Sequence, residues 1–122
     1  MIIKVSLLIF SALPVPPKME LVLDGYVMEK HSIAQGNYTL GEGLVNGFPY
    51  WNQQDGENAI WSFWSSVWMV GDKENLGEAF GLIGVQFDSK VWPTQILDGF
   101  LYTPGWQSAS LNEVLFKDCK YW

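Results

Sequence analysis

Turn-forming residues recur through this chain at short, nearly even intervals, and no other feature limits its fold so severely. Asn46-Gly47, Asp55-Gly56, Asp72-Lys73-Glu74-Asn75 and Pro104-Gly105 separate short runs dense in Trp, Phe, Tyr, Val and Ile. A helix of ordinary length needs about ten uninterrupted residues, whereas a strand is complete in about five or six. The nearest approach to a helical stretch, Lys73 to Phe80, is interrupted by Gly77. Aromatic and β-branched residues suit a pleated surface, and Gly, Pro, Asn and Asp end it. The spacing therefore predicts an all-β chain.

Laid out in order, the segments read as an antiparallel meander forming a small sandwich or barrel. Met19 to Glu29 is one bent strand or a pair, with Gly25 as a bulge. Asn37-Tyr38-Thr39-Leu40 is short. Val45-Asn46-Gly47-Phe48 carries the Asn-Gly pair that marks a hairpin, and Pro49-Tyr50-Trp51 returns from it. Ala59 to Trp64 puts Trp61 and Phe63 on one face and Ile60 and Trp64 on the other, so both faces are apolar. Ser65-Ser66 turns this strand into Val67 to Gly71. Phe80 to Phe87, Ile96 to Tyr102 and Leu111 to Phe116 complete the set.

Ahead of this meander, residues 1–18 form a separate signal-like unit, and residues 19–122 form one β domain. Ile2, Ile3, Val5, Leu7, Leu8, Ile9 and Phe10 make an apolar run with a single Lys, too short to cross a bilayer as a helix. The run suits a secretory leader or a strand buried on both faces equally well. Leu13-Pro14-Val15-Pro16-Pro17 follows, a stiff extended spacer. An apolar strand on such a spacer is the layout of an assembly arm that inserts into a neighbouring copy or folds back on its own domain.

Charge narrows the partners. The basic residues are 7 Lys with no Arg, and 13 acids bring the net charge to −6. Phosphate recognition wants clustered positive charge, so nucleic acid is excluded as a natural partner and an anionic membrane surface is disfavoured. One cysteine, Cys119, allows no internal disulfide and no thiolate metal site, though it could pair between chains.

Val45-Asn46-Gly47-Phe48-Pro49-Tyr50-Trp51 is followed by Ala59-Ile60-Trp61, Trp68-Met69-Val70-Gly71 and Leu76-Gly77. Pro93-Thr94 and Val114-Leu115-Phe116-Lys117-Asp118-Cys119 continue the series. Together these residues, across about 36–119, resemble a small module of marine animal and protist proteins whose function is not established. In that module an Asn-Gly-x-Pro-Tyr-Trp hairpin precedes an Ala-Ile-Trp and a Trp-x-Val-Gly strand. The chain departs from the pattern at Leu97-Asp98-Gly99-Phe100, where a Gly and a second Trp belong. The resemblance implies a secreted β module at the cell surface or beyond it, without an assigned chemistry or cofactor.

Few residues here have the chemistry of a site. Asp55 with Glu57 and Asp72 with Glu74 sit in parallel Asp-x-Glu-Asn turns. Turn chemistry alone selects those residues, and they are weak calcium ligands at most. His31, the only histidine, stands in a polar connection without a nucleophile beside it, so no catalytic residue is assigned and the chain reads as non-enzymatic. Asn37-Tyr38-Thr39 is an N-glycosylation acceptor. The positive feature is aromatic: seven Trp exceed what a small β core needs. Tyr50, Trp51, Trp64, Trp92 and Trp106 are therefore the candidates for binding. They suit a protein assembly, homo-oligomeric or larger and conceivably filamentous, or alternatively a glycan stacked lectin-fashion on the rings.

Overall fold

The computed structural model describes residues 14–64, 66–87 and 91–119; the apolar run of the N-terminal arm lies outside the described residues. Strands β1 (Lys18–Leu23), β2 (Gly36–Leu40), β3 (Trp51–Gln53), β4 (Asn58–Phe63) and β5 (Val67–Asp72) are followed by β6 (Ile83–Gln86) and β7 (Leu101–Tyr102). Two more, β8 (Gln107–Ser108) and β9 (Val114–Asp118), complete the set. All nine belong to one antiparallel sheet in the order β8-β7-β6-β5-β4-β3-β2-β1-β9. The all-β meander is thus observed, as a single barrel-like sheet rather than two packed sheets.

Connectivity forces the sheet to curl. Laid flat, nine strands at 4.8 Å spacing would hold the β8 and β9 edges about 38 Å apart. Only residues 109–113 join those two strands. That link reaches at most about 21 Å. The result is a half-barrel, and its concave side is the main core. Alternate residues point inward: Leu21 and Leu23 on β1, Tyr38, Trp51, Ile60, Trp68 with Val70, Ile83 with Val85, and Val114 with Phe116, all in one buried cluster.

The open side of the half-barrel is filled by the connection before β7. Trp92 is buried, with its ring centroid 6.5 Å from Trp51 and 6.4 Å from Trp68. The Trp68 indole donates to the Val91 carbonyl (2.9 Å), and the Phe100 and Phe116 rings meet at 5.8 Å across the gap. Ile96 to Phe100 is accordingly plug rather than strand, and the predicted strand shrinks to Leu101–Tyr102. Likewise the final strand begins at Val114, not Leu111, because it must run in register with β1 on the sheet's far edge.

A helix stands where a second strand or a bulge was expected. Helix α1 (Gly25–His31) follows directly on β1; Asp24 accepts from the Gly25 N–H, and Gly25 takes a left-handed φ of +58° to turn the chain. Seven residues are too few to display a periodicity. The helix is held instead by partners far along the sequence: Val27 is buried in the core, and the Glu113 carboxylate accepts from the Tyr26 N–H at 2.7 Å. At its other end, His31 is not a solvated loop residue. Its Nε2 donates to the Thr103 carbonyl at 2.6 Å, tying α1 to the β7–β8 turn.

Candidate functional site

The convex face of the sheet also carries apolar side chains, as the strand Ala59 to Trp64 predicted. Ala59, Trp61 and Met69 form a second buried cluster there, with Val45, Tyr50, Val67 and Leu76 packed against it. Two loops cover it. The Asn46-Gly47 hairpin closes through paired Val45 and Phe48 backbone bonds of 2.8 and 3.1 Å, with both central residues at positive φ as a tight hairpin turn requires. The Asn46 amide reaches out of that hairpin to the Ser62 carbonyl (2.8 Å) and the Gly77 carbonyl (3.0 Å). It thereby clamps the loop before β3 to the loop after β5. Trp61 is roofed in the same way, its indole donating to the Glu78 carbonyl at 3.0 Å.

The cover stops short of β6 and β7. What it leaves is a groove of about 350 Å³ lined by Phe63, Val67, Met69, Ala79, Gly84, Val85, Gln86, Leu101 and Trp106. Among the described residues no ionisable side chain lines it, and Gln86 supplies the only polar side chain. Gly84 explains where the Trp106 ring sits: with no Cβ on that strand position, the indole lies directly on the backbone, and an added Cβ would stand 3.3 Å from the ring. Trp106 itself remains 39% exposed.

Trp64 extends the groove at its rim. Strand alternation would carry this side chain to the concave face beside Ile60. Instead β4 ends at Phe63, and a left-handed φ of +59° at Trp64 throws the ring outward. There it stacks on Phe63 at 5.6 Å and 12° and is 79% exposed. Trp106 also sits at positive φ, +47°.

The five aromatic candidates therefore divide. Trp106 lines the groove, and Trp64 stacks on Phe63, which lines it too. Trp51 and Trp92 are instead buried in the core, at 0% and 4% exposure, and Trp51 donates its indole hydrogen to the Pro16 carbonyl at 2.7 Å. Tyr50 is half-buried, with its ring pressed over Gly41, where a Cβ would collide with it. The groove residues that sequence reading missed, Met69, Leu101 and Gly84, belong to strands whose outward positions carried no sign of being uncovered.

The remaining candidates lie outside the groove lining. The turns holding Asp55 and Glu57 and holding Asp72 and Glu74 do lie side by side, because β4 pairs with β5 and sets Asn58 opposite Asp72. Their polar groups are engaged with each other: the Asp72 carboxylate accepts from the Glu74 N–H at 2.8 Å, and Lys73 donates to the Gly56 carbonyl at 3.1 Å. Among the described residues no three His, Cys, Asp or Glu side chains converge as metal ligands. Asn37 stands on β2 and is half-exposed. Cys119 is buried; that burial, with Glu20 and Asp118 nearby, pushes its thiol pKa up and leaves little thiolate at neutral pH. Among the described residues no helix is long and apolar enough to cross a membrane. No family model matches the chain, and no curated protein or solved structure matches it.

Proposed function

We propose that this protein is a non-enzymatic, self-associating β module of the extracellular space that docks through its convex face. The observation that carries this reading is the groove bounded by Phe63, Met69, Leu101 and Trp106, apolar and, among the described residues, without an ionisable side chain, with the exposed Trp64 stacked on Phe63 beside it. A surface of this kind gains free energy by being covered, and aromatic residues dominate the buried centres of protein interfaces. Backbone conformation supports the same reading. Positive φ is unfavourable for a bulky residue, yet both Trp64 and Trp106 are held there with their rings left partly or largely uncovered. The assembly reading is tested by replacing Trp64 and Trp106 with Ser, singly and together, and measuring the oligomeric state by sedimentation velocity. Each replacement is expected to shift the chain toward monomer; unaltered sedimentation of the double variant refutes the reading.

A glycan-binding module is the second reading, favoured by the flat, exposed Trp64 ring backed by Phe63. Sugar sites combine stacking with several hydroxyl partners, and among the described residues this groove offers Gln86 alone. Titration with soluble oligosaccharides, followed by indole fluorescence, separates the two. The extracellular setting rests on the Asn37 acceptor sequence and on the resemblance of residues 36–119, and a glycan found on Asn37 by mass spectrometry would support it.

A further inference from the structure

We infer that Asn46 is a site of spontaneous covalent modification, deamidation through a cyclic imide with Gly47, and that the reaction irreversibly opens the two-loop cover over Trp61. Asparagine is among the chemically labile residues, and Asn46 is the only one in the chain followed by glycine. That order matters because the attacking group is the next residue's backbone nitrogen, and a side chain there would crowd the attack. Gly47 leaves its nitrogen open. Both residues are exposed, nothing lies within 4 Å of where a Gly47 Cβ would stand, and the hairpin bonds belong to Val45 and Phe48. Among the described residues the Gly47 N–H donates to no acceptor.

The reaction needs water alone. The Gly47 nitrogen bonds to the Asn46 side-chain carbonyl carbon, and the amide nitrogen leaves as ammonia, taking the displaced N–H proton. Water then opens the imide at one of its two carbonyl carbons. The product is aspartate, or isoaspartate, in which the main chain runs through the former side-chain carbon. With ammonia lost, the change is one-way.

Its consequence follows from what the amide holds. Asn46 Nδ2 donates to the Ser62 carbonyl at 2.8 Å and to the Gly77 carbonyl at 3.0 Å. A carboxylate has no hydrogen to offer these oxygens and sets negative charge against them. Isoaspartate also adds a carbon to the main chain, which spoils the close pairing of Val45 with Phe48. The effect passes to Trp61 through adjacent carbonyls: Gly77 holds Asn46, and Glu78, next in the chain, accepts the buried Trp61 indole hydrogen at 3.0 Å. Val45 belongs to the same cover, packing on the cluster of Ala59, Trp61 and Met69 and standing 3.3 Å from the place of a Gly77 Cβ. The clamp sets the rate as well. The nitrogen that must leave is the one both carbonyls hold, so the intact clamp slows the reaction and local opening admits it. None of this depends on whether copies associate.

The test incubates the whole 122-residue chain in mildly alkaline buffer and maps its peptides by mass spectrometry at intervals. Aspartate and isoaspartate are expected at position 46 ahead of every other asparagine, forming at least about tenfold more slowly than in the free peptide Leu44–Tyr50. The aged fraction is separated by its added negative charge on ion exchange. That fraction and the Asn46→Asp variant are both expected to exchange the Trp61 indole hydrogen at least about tenfold faster than the parent, followed by NMR. Aged protein was folded when it reacted, so it answers the question even where the variant fails to fold. No reaction at Asn46, reaction as fast as in the peptide, or unchanged Trp61 exchange in the aged fraction each overturns the inference.

Discussion

At the residue scale, two buried hydroxyl groups of opposite status show how the core treats polarity. The Tyr38 hydroxyl donates to the Ala34 carbonyl at 2.6 Å, and burial raises its pKa well above the ordinary phenol value. The unfolded chain ionises this group near pH 10 while the folded chain resists, so its contribution to stability is complete below about pH 10 and is lost as the pH rises further. Urea midpoints should therefore fall more steeply between pH 9 and 11.5 than in Tyr38→Phe, which starts lower by about 1 kcal/mol for the lost hydrogen bond. A wild-type profile as flat as the variant's would contradict this. Ser62 is the converse, fully buried on β4 with an Oγ that has no hydrogen-bond partner among the described residues. Ser62→Ala removes an uncompensated polar group and should raise the unfolding free energy by up to about 1 kcal/mol. A loss of more than that amount would mean the hydroxyl has a partner after all.

Elements in this protein are short, and each is held by something distant. The loop after β5 can lie on the convex face only because Gly81 meets Met69 and Gly71 without a Cβ between them. An alanine Cβ at Gly81 would run into the Met69 side chain and stand 2.9 Å from the Val70 carbonyl. Gly81→Ala should cost about 1–3 kcal/mol and loosen the cover over Trp61, seen as faster hydrogen exchange at the Trp61 indole. Exchange as slow as in the parent would show that the close approach is not needed. Helix α1 depends in the same way on Glu113, whose carboxylate accepts from both Tyr26 N–H and Ser110 N–H at 2.7 Å, while its carbonyl accepts from Asp24 N–H at 3.0 Å. Glu113→Ala should destabilise by about 2–4 kcal/mol, in chemical denaturation, with Glu113→Gln recovering part of it. Equal losses in the two variants would assign the effect to packing.

For the whole molecule, net charge of −6 sets the sign of one further outcome. Copies that associate through an apolar, uncharged groove must overcome mutual repulsion, so added salt should strengthen association. Sedimentation at 20 mM and 300 mM sodium chloride checks this; weaker assembly at the higher concentration would point instead to ion pairs across the interface.

How far the fold could be read from the chain differs element by element. The strands from Ala59 to Asp72 were legible because their signals are local: alternation, an Asp-Gly turn ahead of them and a polar turn behind. Helix α1 was not legible, since a seven-residue segment is stabilised by Glu113 and Val27's core contacts rather than by its own pattern. Aromatic excess predicted that some rings would stand uncovered without saying which. Trp51 and Trp92 are as apolar as Trp64 and Trp106, and only the plug before β7 and the left-handed turn after Phe63 decide that the first pair is covered and the second is not.

The sequence by itself determined that strands and tight turns would form, because backbone preference and side-chain alternation act over a few residues. Tertiary structure alone decided that β9 returns to β1, that the sheet curls into a half-barrel, and that its convex face keeps an apolar groove. Those outcomes depend on chain reach and on which distant groups meet, and no short stretch of sequence encodes either.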